Sequence, residues 1–333
     1  MIRFLVPTFS ALAMVVSAFA SDPPRVVFLT GDEEYRSEES MPMLAKILRR
    51  DFGFHVSVGF SLGEDGSIDP NAATSLTKTE ELADADLMVL FLRFRRPDEA
   101  SFQRILDYLE SGKPVVAFRT STHAFRFTQE SPHAGWGYQD DPTFIHSFAG
   151  GDLTRELLGQ KWITHHGHFS DGYRTLTGVT IDSAAKDHPT LRGMETFEAY
   201  SWLYHVEGGG DMVAGDPQFL LNGKSLQSNK EERGQLNRYP ISNPVAWTKT
   251  HNHGFNHARV FMTTLGHPYD FKLPMMRRFA LQGILWALSR EDLIPASGVK
   301  TETAGAYEPN NSGFGDKYKK GFKPEDLFEY WSN

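Results

Sequence analysis

The chain has 333 residues, of which 40% are hydrophobic and 23% charged, a composition typical of a globular protein with one large domain or two small ones. The formal net charge is −8 at pH 7 and no basic stripe is present, so neither nucleic acids nor anionic membrane surfaces are expected partners. The lack of cysteine excludes disulfides, thiolate catalysis and cysteine-ligated zinc.

The first twenty residues have the pattern of a secretory signal peptide. Arg3 supplies a positive charge, residues 4–19 are mainly apolar, and AFA at residues 18–20 matches a small-x-small cleavage site. The alternative is a membrane anchor, but the apolar stretch is shorter than the ~20 residues that a spanning helix needs. We therefore expect residues 1–20 to be removed and the protein to be exported, periplasmic or secreted, and soluble without membrane contact.

The next part of the chain alternates predicted strands and helices. Strands are predicted where short apolar runs are bounded by turn residues, and helices where apolar residues recur at helical spacing. The predicted strands are 25–31, 55–60, 86–94 and 115–118, and the predicted helices are 43–48 (capped by Ser40), 77–83 and 97–110. This alternation is typical of a doubly wound, mainly parallel α/β sheet.

The second half of the chain is less regular. The predicted strands there are 160–164, 178–181, 245–249 and 259–264, the last two forming a hairpin around a loop at 251–257, and the predicted helices are 153–158 and 274–288. Residues 125–149 are expected to form a long loop. The chain becomes polar near its end, and we expect a tail of residues 296–333 to dock on a domain of residues 21–295 through Leu327, Phe328 and Trp331.

Polar residues follow three predicted strands at the sheet edge where open α/β proteins bind ligands. They are the groups 31–34, 93–96 and 119–123. Within the last group, Arg119, Ser121 and Thr122 are suited to hydrogen bonds with a polyol or carbonyl, and His123 to acid–base chemistry. An acyl-transfer nucleophile at Ser121 is disfavoured, because the flanking glycines of a Gly-x-Ser-x-Gly elbow are missing.

Acidic residues at the same edge have two interpretations. Glu33 and Glu34 follow the first strand, and Glu34 is a candidate substrate-binding residue. The alternative is that both acids are solvated charges at a helix N-terminus. Similarly, Arg93 and its neighbours in the group 93–96 could bind an anionic substrate or pair with these acids.

Histidine is concentrated in one part of the chain. Twelve of the thirteen histidines lie between His123 and His267, with groups at 165–168 and 251–257. We expect some of them to act as acids or bases, His123, His166 and His267 above all. The alternative for each histidine is a structural role, in which the ring caps a loop, stacks on an aromatic residue or bonds a buried carbonyl.

The histidines also suggest a metal site. In an extended segment, His166 and His168 share one face and His165 lies on the other. A metal requires several imidazole or carboxylate donors that converge. His166, His168 and His267 are therefore the candidate ligands of a divalent metal such as zinc.

Seven stretches together resemble the exported ThuA-like proteins of the trehalose-utilisation family. They are spread over roughly residues 25–288, which is nearly the whole mature chain, and the combination is specific, although a single piece such as GHP is weak. The matching stretches are VVFLTGDEEYRSEESMPMLAKIL, DADLMVLFLRFR, YLESGKPVVAFRTSTHAF, KWITHHGH, DHPTLRG, NPVAWTK, and RVFMTTLGHPYDF followed by RRFALQGILWAL.

The resemblance implies a flavodoxin-like α/β fold related to the class I glutamine amidotransferases, and a role in sugar metabolism. Those amidotransferases place a catalytic cysteine after the strand that corresponds to VVAF, where this chain has Thr120 and Ser121. Glutamine amidotransfer is therefore excluded. The positions that match the family and could function are His123, His166, His168, His188, Tyr204 and His267.

We therefore expect an exported carbohydrate-processing protein, a hydrolase or isomerase that acts on a sugar or keto-sugar in a histidine-rich pocket. The expected substrate-binding residues are Arg119, Ser121, Thr122, Glu34 and Tyr204. The alternative is a non-catalytic sugar-binding or assembly protein, and a homo-oligomer is compatible with either. Hydride transfer is disfavoured, because no G-x-G-x-x-G follows the first strand.

Overall fold

The computed structural model describes residues 22–138, 153–168, 173–253 and 256–329. The expected signal peptide, much of the expected loop at 125–149, and the side chains of Leu327, Phe328 and Trp331 lie outside the described part. None of the helices within these ranges has the length and apolar character needed to span a membrane.

The described chain contains strands and helices in the following order. The strands are β1 (Arg25–Gly31), β2 (His55–Gly59), β3 (Leu87–Leu92), β4 (Val115–Phe118), β5 (Thr164–His165), β6 (Thr177–Ile181), β7 (Phe197–Ala199), β8 (Tyr204–His205), β9 (Gln218–Ser225), β10 (Ser242–His253) and β11 (Asn256–Thr263). The helices are α1 (Ser37–Phe52), α2 (Glu99–Glu110), α3 (Leu153–Leu158), α4 (Asn229–Glu232), α5 (Pro274–Ala287) and α6 (Pro324–Glu329).

Nine of the described strands form one mixed sheet in the order β2-β1-β3-β4-β11-β10-β9-β6-β7. The first five are mutually parallel, and the remaining pairs are antiparallel. Seven of the nine strands point in the same direction, since only β10 and β6 are reversed. The predicted α/β class with a mainly parallel sheet is confirmed.

Each face of the parallel part carries its own hydrophobic core. In β3, Leu87, Val89 and Phe91 pack with apolar residues of α1 and α5, whereas Met88 and Leu90 pack with residues of α2. Successive side chains of a strand point to opposite faces, and both faces here are covered. This explains why β3 is a continuous apolar run, and why the sequence reveals it.

Three predicted elements differ from the structure. The first helix begins at Ser37, not after Ser40, because Arg36 at its N-cap takes a left-handed conformation with φ 54° and places Ser40 inside the helix. The predicted helix at 77–83 is a short 3-10 helix, Thr79–Ala83. The predicted strand at 160–164 is reduced to the two residues of β5, which pair with β8.

The predicted hairpin is present as the antiparallel pair β10 and β11. Its loop is shorter than expected, because β10 continues to His253 and β11 starts at Asn256. Strands β7, β8 and β9 have no counterpart among the predictions. They extend or flank the sheet where its pairing is antiparallel.

The buried carboxylate of Asp270 organises the loop that follows β11. Its Oδ1 accepts hydrogen bonds from the amides of Tyr200 and Ser201, at 2.6 and 3.2 Å. Its Oδ2 accepts the Ser201 hydroxyl at 2.5 Å and the amides of Gly266 and His267 at 3.1 and 3.0 Å. The carboxylate thus joins the segment before β8 to the end of the parallel sheet.

We predict that Asp270→Ala destabilises the protein by about 3–5 kcal/mol, because four backbone amides and one hydroxyl lose this acceptor. Urea unfolding followed by circular dichroism measures this change. Asp292→Ala is the control, since the Asp292 side chain is 63% exposed. Equal stability of the two variants would contradict the role assigned to Asp270.

Candidate functional site

The turn after β4 begins at Arg119, whose backbone is left-handed with φ 40°, and continues as a 3-10 helix, Arg119–His123. The hydroxyls in this turn are all engaged within the protein. Thr120 donates to the carboxylate of Asp32, Ser121 donates to Leu90 O at 2.9 Å, and Thr122 donates to Arg119 O at 3.1 Å. The hydroxyls at this turn therefore tie the turn to the rest of the fold, and all three side chains are fully buried.

The side chain of Arg119 is fully buried beneath the site. Its Nη1 donates to the carbonyls of Trp202 and Thr264 at 3.3 and 2.8 Å, and its Nη2 donates to the Tyr35 hydroxyl at 3.0 Å. Its guanidinium carbon lies 4.2 Å from the ring centroid of Tyr35 and 4.5 Å from that of Tyr204. Arg119 therefore supports the site from below.

A cavity of about 120 Å³ lies at the carboxyl edge of the parallel strands. Its walls combine two histidines, one carboxyl, one guanidinium and five aromatic rings. The lining residues are Glu34, Tyr35, Arg93, Phe94, His123, Trp162, His165, Tyr204 and Phe314. We call this cavity the edge pocket.

The structure brings together some of the predicted site residues. Glu34, His123 and Tyr204 line the edge pocket. Ser121 and Thr122 are fully buried, and they do not line it. Direct contact with substrate, which the sequence suggested for these two residues, is thus not what the structure shows.

The other predicted histidines have partners away from the edge pocket. His166 Nδ1 lies 2.6 Å from Ser228 Oγ, and His168 Nε2 lies 2.9 Å from Glu232 Oε2. His267 Nε2 lies 2.9 Å from Ser312 Oγ. His188 caps a 3-10 turn with its ring against Trp286.

The predicted metal ligands His166, His168 and His267 are therefore not assembled around one point. Within the described ranges, no group of three or more histidine, aspartate or glutamate side chains is arranged to hold a metal ion. The expectation of zinc at these three residues has no support from the geometry.

Several pocket residues were missed by the sequence reasoning. His165 and Trp162 belong to the same KWITHHGH stretch as His166, and Phe94 follows β3 at the expected sheet edge. The alternation of side chains in an extended segment places His165 and His166 on opposite faces. It does not show which of the two faces the pocket. Phe314 comes from the C-terminal tail and carries no local signal.

A carboxyl group is normally a stronger acid than a protonated imidazole, but burial reverses this order in the edge pocket. Glu34 is 7% exposed, and burial raises its pKa to about 7, although Arg93 Nε lies 3.2 Å from its Oε2. Burial, assisted by the charges of Arg93 and Arg119, lowers the pKa of His123 well below its usual range. Burial lowers the pKa of His165 to about 4. Near pH 7 the histidines are neutral, whereas much of Glu34 is protonated.

The fold and the site define an α/β protein with a small buried pocket at the carboxyl edge of parallel strands, containing a carboxyl group and two neutral histidines. The family model ThuA, described as trehalose utilisation, matches residues 25–287. The chain belongs to this family. No curated protein matches the sequence.

Solved structures include similar chains. A ThuA-like protein from Parabacteroides merdae ATCC 43184 is 17% identical with a TM-score of 0.50, over 90% of this chain and 100% of that one. A ThuA-like protein from Bacteroides uniformis ATCC 8492 is 13% identical with a TM-score of 0.47, over 81% and 94%. The exo-β-1,4-mannosidase Op5Man5 from Opitutaceae bacterium strain TAV5 is 11% identical with a TM-score of 0.33, over 84% and 36%. The first of these shows the fold, and nothing about function follows from the three.

We predict that the stability of Glu34→Gln relative to that of the wild type increases as the pH rises. The pKa of Glu34 is raised from 4.5 to about 7, so its contribution to stability is full below pH 4.5 and is lost as the pH rises through about 7. Between about pH 5 and about pH 9 the difference in unfolding free energy should move on the order of 1–3 kcal/mol in favour of the variant.

Urea unfolding at both pH values measures this difference. Glu64→Gln is the control, because it makes the same substitution at an exposed glutamate. It therefore shows the effect of the lost charge alone. A difference between wild type and Glu34→Gln that is constant over this pH range would contradict the raised pKa.

Proposed function

We propose that this chain binds a sugar or keto-sugar in the edge pocket and performs acid–base chemistry on it, either hydrolysis or isomerisation. The observation that carries the proposal is that one pocket contains a carboxyl group whose pKa is raised to about 7 and two histidines whose pKa values are lowered. Pairs of titratable groups whose pKa values are shifted apart mark the acid and the base of a site.

The walls of the edge pocket favour a carbohydrate. The rings of Trp162 and His123 lie 5.6 Å apart between centroids, and Phe94 lies 4.9 Å from His123. Flat rings can pack against the C–H face of a sugar, while a few polar groups fix its hydroxyls. The family description, trehalose utilisation, supports the same class of ligand.

The roles of the two kinds of group follow from their protonation. The protonated carboxyl of Glu34 donates to a substrate oxygen, and a neutral histidine, His123 or His165, accepts a proton. In hydrolysis the oxygen is that of the leaving group, and the histidine takes a proton from water. In isomerisation the oxygen is a carbonyl, and the histidine takes a proton from the adjacent carbon.

A non-catalytic sugar-binding protein is the second candidate function. It is supported by the turn after β4, where the hydroxyls of Thr120, Ser121 and Thr122 all bond within the protein. These side chains are fully buried and do not line the edge pocket, so a covalent intermediate at this turn is disfavoured. Binding without turnover on a panel of sugars and keto-sugars would support this candidate.

We predict that Glu34→Gln and His123→Gln each lower kcat by about 10²–10³-fold while sugar binding changes little, because each removes a proton transfer. Proton NMR on sugars and keto-sugars follows hydrolysis and isomerisation together, and calorimetry measures binding. In the wild type, kcat should fall as the pH rises through about 7, because the carboxyl of Glu34, whose pKa is about 7, loses its proton there.

His168→Gln is the matched control, because this histidine comes from the same stretch as His165 but lies at the surface beside Glu232. It should retain kcat. If His168→Gln reduces kcat as much as His123→Gln does, the pocket is not where the reaction occurs.

We also propose that the protein is exported. The support is the charged, then apolar, then small-residue pattern of residues 1–20. We predict that protein expressed from the full sequence is recovered outside the cytoplasm with Ser21 as its first residue. Cell fractionation followed by N-terminal sequencing identifies the first residue of the recovered protein. Protein that still begins at Met1 would contradict the prediction.

A further inference from the structure

A segment of the C-terminal tail, residues 310–315, lies beside the edge pocket and contributes Phe314 to its wall, and we call it the strap. The amide of Gly313 donates to Glu34 O at 2.8 Å, and Arg36 Nη2 donates to Gly313 O at 2.8 Å. Ser312 Oγ lies 2.9 Å from His267 Nε2. The strap is therefore held by the same segment of chain that supplies the candidate acid.

The strap places Phe314 in the wall of the edge pocket. The guanidinium carbon of Arg93 lies 5.0 Å from the ring centroid of Phe314 and 4.6 Å from that of Phe94. Phe314 is nevertheless 45% exposed, and among the exposed large apolar side chains in the described ranges it is the one that lines this pocket. A half-exposed aromatic ring in a pocket wall offers its surface to a ligand.

The size of the edge pocket limits what that ligand can be. Its volume is about 120 Å³, well below the roughly 300–1,000 Å³ of pockets that take drug-sized molecules. Phe314 forms part of the wall of this space. The cavity thus matches a ligand of one ring.

We propose that Phe314 is a specificity-determining residue, which stacks on a single sugar ring and excludes a second ring attached to it. The inference rests on the proposed function, since it names the size of the carbohydrate that the edge pocket accepts. The polar groups that would act on this ring, those of Glu34 and His123, line the same cavity.

The test uses calorimetric titration of the mature chain with two probes, glucose as one ring and trehalose as two. The wild type should bind glucose at least about tenfold more tightly than trehalose. Phe314→Ala should weaken glucose binding about 3–10-fold, because an aromatic contact is lost, and should reduce the preference over trehalose. Phe314→Trp keeps a flat ring and should retain the preference.

Phe322→Ala is the matched control. Phe322 belongs to the same tail and is 43% exposed, but it lines a different cavity, beside Ile68 and Met43. This variant should bind both probes as the wild type does. Circular dichroism and thermal unfolding verify that each variant is folded.

Two results would overturn the inference, and they can be told apart. If the wild type binds both probes equally, or if Phe314→Ala keeps the preference for glucose, sugar binding stands and the role of Phe314 is wrong. If no variant and no wild-type sample binds either probe, the proposed binding of simple sugars is wrong, and the inference fails with it.

Discussion

The buried guanidinium of Arg119 joins the end of β4 to two segments of the second half of the chain and lies against two residues that line the edge pocket. It reaches from the end of β4 to carbonyls of Trp202 and Thr264 in the second half of the chain, and it is enclosed by the rings of Tyr35 and Tyr204. A buried charge without partners would cost several kcal/mol. Three hydrogen bonds and two aromatic faces offset that cost, and in doing so they fix the left-handed turn at Arg119.

The same charge acts on the protonation of the site. Burial is the main cause that lowers the pKa of His123, His165 and His267, and the positive charge of Arg119 adds to it in each case. For Glu34, burial raises the pKa and outweighs the opposing effect of Arg93 and Arg119. The nearby cations thus favour neutral histidines, and they do not lower the pKa of the carboxyl enough to offset its burial.

The sequence was sufficient for the parallel part of the fold, because strands covered on both faces are continuous apolar runs, as β3 and β4 are. It was insufficient for β7, β8 and β9. These strands are short or mixed in polarity, and they form by pairing with segments far along the chain, as β9 does with β6 and β10. The early start of α1 depends on Arg36, whose guanidinium bonds Gly313 from the tail, and no local pattern predicts that.

The candidate site was predictable in location but only partly in composition. The turn after β4 lies at the sheet edge that the sequence indicated, and its Thr120 and Ser121 hydroxyls donate to the Asp32 carboxylate and to Leu90 O. With these hydroxyls engaged in the fold, the reactive groups left at the sheet edge are those on the pocket wall, Glu34 and His123. The turn therefore offers no accessible hydroxyl to a ligand, which is why the proposed function assigns proton transfer to the pocket wall.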